Sequence, residues 1–317
     1  MVSAARKANF FRIIPQAFRE NNLVFPLRDK ILFFFPGFPD RTLDEPDFPV
    51  YIADRPPYLL SNPTGGTAEM VYTLTDPEKV RPLFGSWEET MIICCLQQVM
   101  GTLYVTDTGH PKSVMAVLGD FAFFAGRPCR ELAESKRPGF LILVPQDEAW
   151  AHMIEACFPG RCRRVTRYAI RKDTVFDRDR LRSLKSRLPE GCLLQRIDST
   201  LYDQCMENAW SRDLVSVFPS REAFLRDGLG MAVTVNGRIV SGASSYTRYR
   251  EGIEVEVDTH RDYRRRSLAT VCSAALILSC LDLGLYPSWD AQNLWSVCLA
   301  EKLGYTFSHE YPVYEVE

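Results

Sequence analysis

The chain lacks an apolar run of the roughly 18–20 residues that a membrane span requires. The apolar stretch at 268–283 falls short of that length. It also lacks a net charge of consequence. Lys and Arg total 38 against 40 Asp and Glu, a balance of −2. This gives no global electrostatic case for nucleic-acid or membrane binding. Metal-ligand spacing is missing as well. There are ten cysteines, yet Cys94 and Cys95 are adjacent and Cys157 and Cys162 are five apart, with no paired CxxC unit. His110, His152 and His260 have no partner at a ligating or nucleophile-activating spacing. The sequence therefore implies no metal. Cys272, Cys280 and Cys298 fall inside apolar helical patterns, where free cysteine acts as a small core residue. Such usage fits a reducing compartment, and a cytoplasmic location is expected.

What remains is an ordinary globular composition, 46% hydrophobic and 25% charged over 317 residues. That length accommodates two medium domains, each with its own core. Residues 1–68 are set apart by Pro and Phe, as in Phe33-Phe34-Phe35-Pro36-Gly37-Phe38-Pro39, and neither helical nor strand periodicity persists there. They are read as an irregular extension. Arg6, Lys7, Arg12 and Arg19 make its start a basic tail or short exposed helix.

From 69 to 188 the pattern reads as a compact α/β unit. Strands are expected at 71–74, 102–106, 139–144 and 164–170, with helices at 88–100 and 147–158. Gly119-Asp120 between two apolar runs signals a hairpin. The segment 161–187 holds eleven Lys or Arg against three acids. Its aromatics, Tyr168 and Phe176, do not interleave with the charges as a stacking platform for single strands would want, so it reads as a solvated strand edge and linker.

From 189 to 317 the order is β-αα-βββ-α-β-α-ββ. Asn236-Gly237 marks a hairpin, and Gly284 and Gly304 end the two last helices. Two final strands are expected at 306–311 and 313–316. Within this unit lies the most informative stretch. Ile253-Glu254-Val255-Glu256-Val257-Asp258-Thr259 alternates strictly, as a strand does. Arg264-Arg265-Arg266-Ser267-Leu268-Ala269 then opens a long apolar helix. Backbone N–H groups at a helix start, beside guanidinium groups, form a ready pyrophosphate site. Glu254, Glu256 and Asp258 share one strand face. Crowded carboxylates raise one another's pKa, which suits a general base meeting a cationic substrate. Their alternative role is a solvated sheet face.

This order and these residues resemble the GNAT-type N-acetyltransferase superfamily. The resemblance covers about 190–317 and is closest at 258–269 and 290–305. In that family a turn (Gln/Arg)-x-x-Gly-x-(Gly/Ala) binds the pyrophosphate of acetyl-CoA. Arg264 and Ala269 match its ends, while Ser267 replaces the middle Gly and Arg265 stands where a Gly is common. The fold implied is α/β (α+β), with a mixed central sheet and helices on both faces. A degenerate GNAT-like half is expected to precede it. That second expectation rests on Pro111-Lys112-Ser113, Leu118-Gly119-Asp120 and Tyr286-Pro287-Ser288-Trp289-Asp290.

The activity implied is direct transfer of an acetyl group from acetyl-CoA to a small-molecule or peptide amine. Coenzyme contacts are implied at Val257, Asp258, Thr259, Arg264, Arg265, Arg266, Ser267, Leu268, Ala269 and Asn293. The candidate base is Glu254 or Glu256. Asn293 has a second reading, as a plain helix cap. Many relatives carry a Tyr in the last helix that protonates the leaving thiolate, and here Ala300 stands at that place. Tyr305, Ser296 and His309 are the substitutes within reach in sequence. Trp289 and Trp295 either line the acceptor pocket or pack in the core. Ser267 and Ala300 keep a second function open, a GNAT-fold regulatory protein that holds acyl-CoA without catalysis.

Overall fold

The computed structural model describes residues 70–135 and 139–316, so the reading of 1–68 lies outside the described residues. The first half comprises β1 (Tyr72–Leu74), α1 (Arg81–Phe84), α2 (Thr90–Leu96), β2 (Thr102–Val105), β3 (Ser113–Leu118) and β4 (Phe121–Gly126). It continues through α3 (Arg130–Ala133), β5 (Leu141–Pro145), α4 (Glu148–Cys157), β6 (Cys162–Ile170) and α5 (Arg178–Lys185). The second half runs β7 (Leu193–Arg196), α6 (Ser199–Glu207), α7 (Arg221–Asp227), β8 (Gly230–Val235), β9 (Arg238–Tyr249) and β10 (Gly252–Thr259). It ends with α8 (Leu268–Asp282), β11 (Tyr286–Ser288), β12 (Asp290–Ala291), α9 (Leu294–Leu303) and β13 (Phe307–Val316).

These elements build two mixed sheets, as expected of an α/β fold. The first has the order β1-β2-β3-β4-β5-β13-β6-β12, with β4–β5 its parallel pair. The second has the order β11-β10-β9-β8-β7, with β10–β11 parallel. Strand β4 explains the depth of the first sheet. Phe121, Phe123 and Ala125 pack into one cluster, Ala122 and Phe124 into another, so both faces are covered. The tryptophan of α4, Trp150, closes the outer cluster and donates its indole N–H to Gly126 O at 2.8 Å.

Helix α2 sits between the sheets. Met91, Ile92, Cys94, Cys95 and Leu96 share one cluster with Val114 and Ala116 of the first sheet and Ala232 and Tyr246 of the second. On the far face of the second sheet, α8 is apolar almost all round and packs with Ile253, Val255, Leu181 and Leu184. Its end is a Schellman motif. Gly284 takes φ +69°, and Leu285 N–H reaches back to Cys280 O at 2.8 Å.

Four sequence expectations change. The helix read at 88–100 is shorter, because Gln98 and Gly101 take positive φ and turn the chain out. The basic segment 161–187 contains α5, capped by Asp177, whose Leu181 and Leu184 are buried against α8. The arginines of α5 lie toward solvent and hide a two-residue apolar stripe. The two strands expected at 306–311 and 313–316 are one strand, β13, which pairs through Pro312 with Thr166. It lies between β5 and β6 in the first sheet, so that sheet crosses the 188/189 boundary drawn from sequence. Cys298 is exposed, unlike Cys272 and Cys280.

Candidate active site

Strand β10 delivers the chain into a short turn, Arg261–Tyr263, and then into the arginine run. Arg265 has φ 61° and Ser267 has φ 62°, both left-handed. These are the two positions where glycine was expected. The backbone keeps a glycine-type path although neither residue is glycine. A left-handed residue beside a right-handed helical one, as at Ser267 and Leu268, turns successive N–H groups to one side and makes a nest for an anion. The first intrahelical bond of α8 is Val271 N–H to Ser267 O, at 3.1 Å. The N–H groups of Leu268, Ala269 and Thr270 precede it. The Ser267 side chain makes no capping bond to them. Helix-start N–H groups left open in this way attract phosphate. Arg264, Arg265 and Arg266 are exposed around them. Arg264 Nε donates to Thr259 O at 3.2 Å, and the Arg266 guanidinium lies over the Tyr263 ring at 5.1 Å.

Beside this turn the second sheet forks. Strand β10 pairs with β11 at Gly252↔Tyr286, Ile253↔Pro287 and Glu254↔Ser288. The chain then leaves, and Asp290 and Ala291 pair with Ala169 and Tyr168 of β6 in the other sheet. Residues 255–259 keep β9 on one side and, among the described residues, gain no strand on the other. Tyr286 N–H bonds Glu251 O, and His260 N–H bonds Val240 O of β9, which fixes the alternation. Val255 and Val257 therefore turn their backbone groups into the fork. Thr259 is more engaged, its N–H on the Asp258 carboxylate and its carbonyl on Arg264. Asn293 caps α9 through Oδ1 and Ser296 N–H at 3.0 Å, which leaves its exposed amide N–H₂ free.

The carboxylate face of β10 looks toward α2 and the first sheet. Glu254 is 4% exposed. Its Oε2 accepts the Thr90 hydroxyl, and its Oε1 is buried without a partner among the described residues. Burial pushes its pKa up to about 7, against the opposing pull of Lys172 and Thr90. Glu256 is half-buried, and burial together with Asp213 and Asp258 pushes it to about 8. Asp258 is raised by burial too. Asp120 and Asp213 are exposed, and the Asp213 charge acts on Asp120, Glu256 and Asp258 alike.

Two cations from the first half face these acids. Lys172 Nζ pairs with Glu89 at 3.2 Å and donates to Glu88 O at 2.6 Å. Burial opposes its charge, but Glu89, Glu254 and Asp290 outweigh burial and raise its pKa. Arg167 is clamped on Asp290 at 2.6 Å, and Tyr311 donates to the other oxygen of Asp290 at 2.7 Å.

Thr90, Glu89, Lys172, Arg167, Asp290 and Ser288 were not singled out from sequence as site residues. The Thr90–Glu254 contact spans 164 positions, and no local pattern encodes it. Ser288 Oγ is a second buried oxygen without a partner among the described residues, directly opposite Glu254 in register. Among the described residues no cluster of three or more His, Cys, Asp or Glu could hold a metal ion. None of the described helices is long and apolar enough to cross a membrane.

The sequence model of the GNAT acetyltransferase family matches residues 81–314. The chain belongs to that family. A solved GCN5-related N-acetyltransferase-like protein from Streptococcus suis is 48% identical, with a TM-score of 0.73 over 76% of this chain and 98% of that one. The uncharacterised N-acetyltransferase YdfB of Bacillus subtilis is 27% identical over 241 residues, which cover 69% of this chain and 86% of YdfB.

As a GNAT family member, the protein departs from the common pattern in its last helix. Ala300 is fully buried. Tyr305 is no substitute acid, because it is buried and its hydroxyl donates to Pro287 O at 2.6 Å. Burial raises its pKa far above the usual range. His309 is exposed and bonds Ser308. Ser296 Oγ accepts the Trp289 indole N–H at 3.0 Å, so its own proton is free to donate. Trp289 packs against Tyr305 in the core, whereas Trp295 is 83% exposed.

Proposed function

We propose that this acetyltransferase-family protein takes acetyl-CoA as co-substrate and transfers the acetyl group directly to an amine. The nest at Arg265 to Ala269, with Arg264 and Arg266 beside it, supplies N–H and guanidinium donors for the pyrophosphate. Val257 backbone groups and the free amide of Asn293 supply donors and acceptors along the fork for the pantetheine arm. Asp258 and Thr259 shape the fork's outer end, and Leu268 seats the helix start in the core.

The acceptor enters from the carboxylate side as an ammonium ion. Glu256, Asp258, Asp213 and Asp120 make that side attractive to a cation. Glu254 removes the proton through Oε1, directly or by way of a water. The neutral amine attacks the thioester carbonyl and a C–N bond forms; the C–S bond breaks, coenzyme A leaves as thiolate, and the nitrogen gives its second proton to water as the amide forms. A free thiol has a pKa near 8.5, so the thiolate can depart without a tyrosine acid. Glu254 is preferred over Glu256 as base. It stands where β10 and β11 part, and a pKa near 7 leaves it ionised in a useful fraction at neutral pH.

The observation that carries this reading is the left-handed backbone of Arg265 and Ser267 at an uncapped helix start. The test is calorimetric titration with acetyl-CoA and coenzyme A, followed by transfer assays with spermidine, lysine and a lysine-containing peptide. Micromolar binding and acetyl transfer are expected. Replacing Arg264 and Arg266 together by Glu should weaken binding by about 100-fold or more. Unchanged binding in that variant defeats the placement. Binding without transfer to any amine favours the regulatory reading, for which the buried Ala300 is the supporting observation.

A further inference from the structure

We infer that the first half of the chain positions the base: Thr90 orients the Glu254 carboxylate, and Glu89, its neighbour in the chain, holds the Lys172 ammonium beside the same site. The inference rests on the proposed role of Glu254 and assigns new roles to three residues outside the GNAT-like second half. Thr90 opens α2 and is 1% exposed. Its hydroxyl engages Oε2 alone and leaves Oε1 buried and unpartnered. A carboxylate kept for structure has both oxygens satisfied, since an orphaned buried oxygen is costly. One oxygen held and the other left open is the arrangement of a group that works through the open one.

Ser288 lies opposite Glu254 in register, and charged, titratable and hydroxyl groups from both halves act on the carboxylate. From the first half come Lys172, Glu89, Thr90 and Cys94; from the second come Asp290, Tyr249 and Tyr305. Lys172 and Thr90 favour the ionised carboxylate, while Glu89 and Asp290 oppose it. Burial raises Cys94, Tyr249 and Tyr305, so they stay neutral through the working range. Glu89 has its own purpose in this set, which is to hold Lys172 in place at 3.2 Å. A half without the arginine turn would thus still be required for catalysis.

The experiment follows the Glu254 carboxyl carbon through a pH titration by 13C NMR, assigned with Glu254→Gln, in the full-length protein. Acetyl transfer to spermidine is measured in parallel. Thr90→Val should raise the Glu254 midpoint by about one pH unit, because a hydrogen bond to the charged form is lost. The acidic limb of kcat/KM should move with it, and kcat should fall about tenfold with little change in KM. Thr90→Ser should restore both. The double change Lys172→Met with Glu89→Gln removes the pair without stranding a charge, and should also raise the midpoint. It decides the matter if Thr90→Val does not fold. An unmoved midpoint and limb in these variants overturns the inference. Full activity in Glu254→Gln instead removes the base assignment itself, so the two failures are distinguishable.

Discussion

Replacing Ser267 by Gly should stabilise the protein, although a Ser-to-Gly change at the start of a helix normally does not. Ser267 holds φ 62° and ψ 11°, a left-handed conformation that costs an L-residue about 1–2 kcal/mol. Its side chain makes no capping hydrogen bond, so nothing is lost when it is removed. Against the relief stands the greater freedom of glycine in the unfolded chain, about 0.4–1 kcal/mol. The balance is a gain of about 0.5 kcal/mol, or a rise in Tm of about 1–2 °C for a folded body of this size. Ser267→Ala keeps the strain and should show no rise. Arg265→Gly relieves φ 61° in the same way but removes a guanidinium, so stability should rise while acetyl-CoA affinity falls. Thermal unfolding of the ligand-free variants, followed by calorimetric titration with acetyl-CoA, reads both effects. The reasoning is refuted if Ser267→Gly lowers Tm, or if Arg265→Gly weakens stability and affinity together.

Glu254→Gln should reduce kcat with little effect on KM, whereas Glu256→Gln should raise KM for a cationic amine; steady-state kinetics separates the two. With Glu254 at about 7, kcat/KM should fall on its acidic side near pH 7, and a limb near pH 4–5 would contradict its burial. Stability carries the opposite sign. Glu254 and Glu256 have folded pKa values raised above an unfolded value near 4.3, so the native state binds more protons between that value and about 8. Their contribution is fully present below about pH 4.3 and is lost as pH rises through 7 to 8, and Tm measured across this range should flatten in Glu256→Gln. Gly119→Ala should cost about 1–3 kcal/mol in a denaturant titration, because Gly119 has φ +56° and a Cβ would meet Tyr246 Oη at 2.2 Å.

The strand–turn–helix around Arg264 was legible because its signals are local. Alternation in 253–259, an apolar helix and a terminal Gly each report on neighbours a few residues away. The same locality explains what was not legible. Charge composition concealed α5, whose apolar stripe is only Leu181 and Leu184. Strand β13 was visible as extended structure, yet no pattern within it says that β5 and β6 are its partners. Nor does the sequence mark Thr90 or Lys172, since each is an ordinary residue until the fold brings β10 against it. The positive φ of Arg265 and Ser267 was the reverse case. Sequence places two non-glycine residues where glycine is common, and the backbone keeps the left-handed path there all the same.

The placement of β12 and β13 gives a reason why two halves remain joined around one site. Asp290 leaves the fork to pair with β6, and there it clamps Arg167 while Tyr311 of β13 holds its second oxygen. The same excursion that opens the fork beside Glu254 thus ties the second half into the first sheet. Arg167 is 11% exposed and Asp290 7%, so removing either partner strands a buried charge, which costs about 3–5 kcal/mol. Arg167 also favours the ionised form of Glu256 and lies over the Phe121 ring at 5.0 Å. Asp290→Asn should therefore destabilise the fold and disturb the acceptor cleft together. Arg167→Met with Asp290→Leu, which removes both charges, should recover stability without recovering the cleft. If the double variant recovered neither, the clamp would be a packing element rather than an electrostatic one.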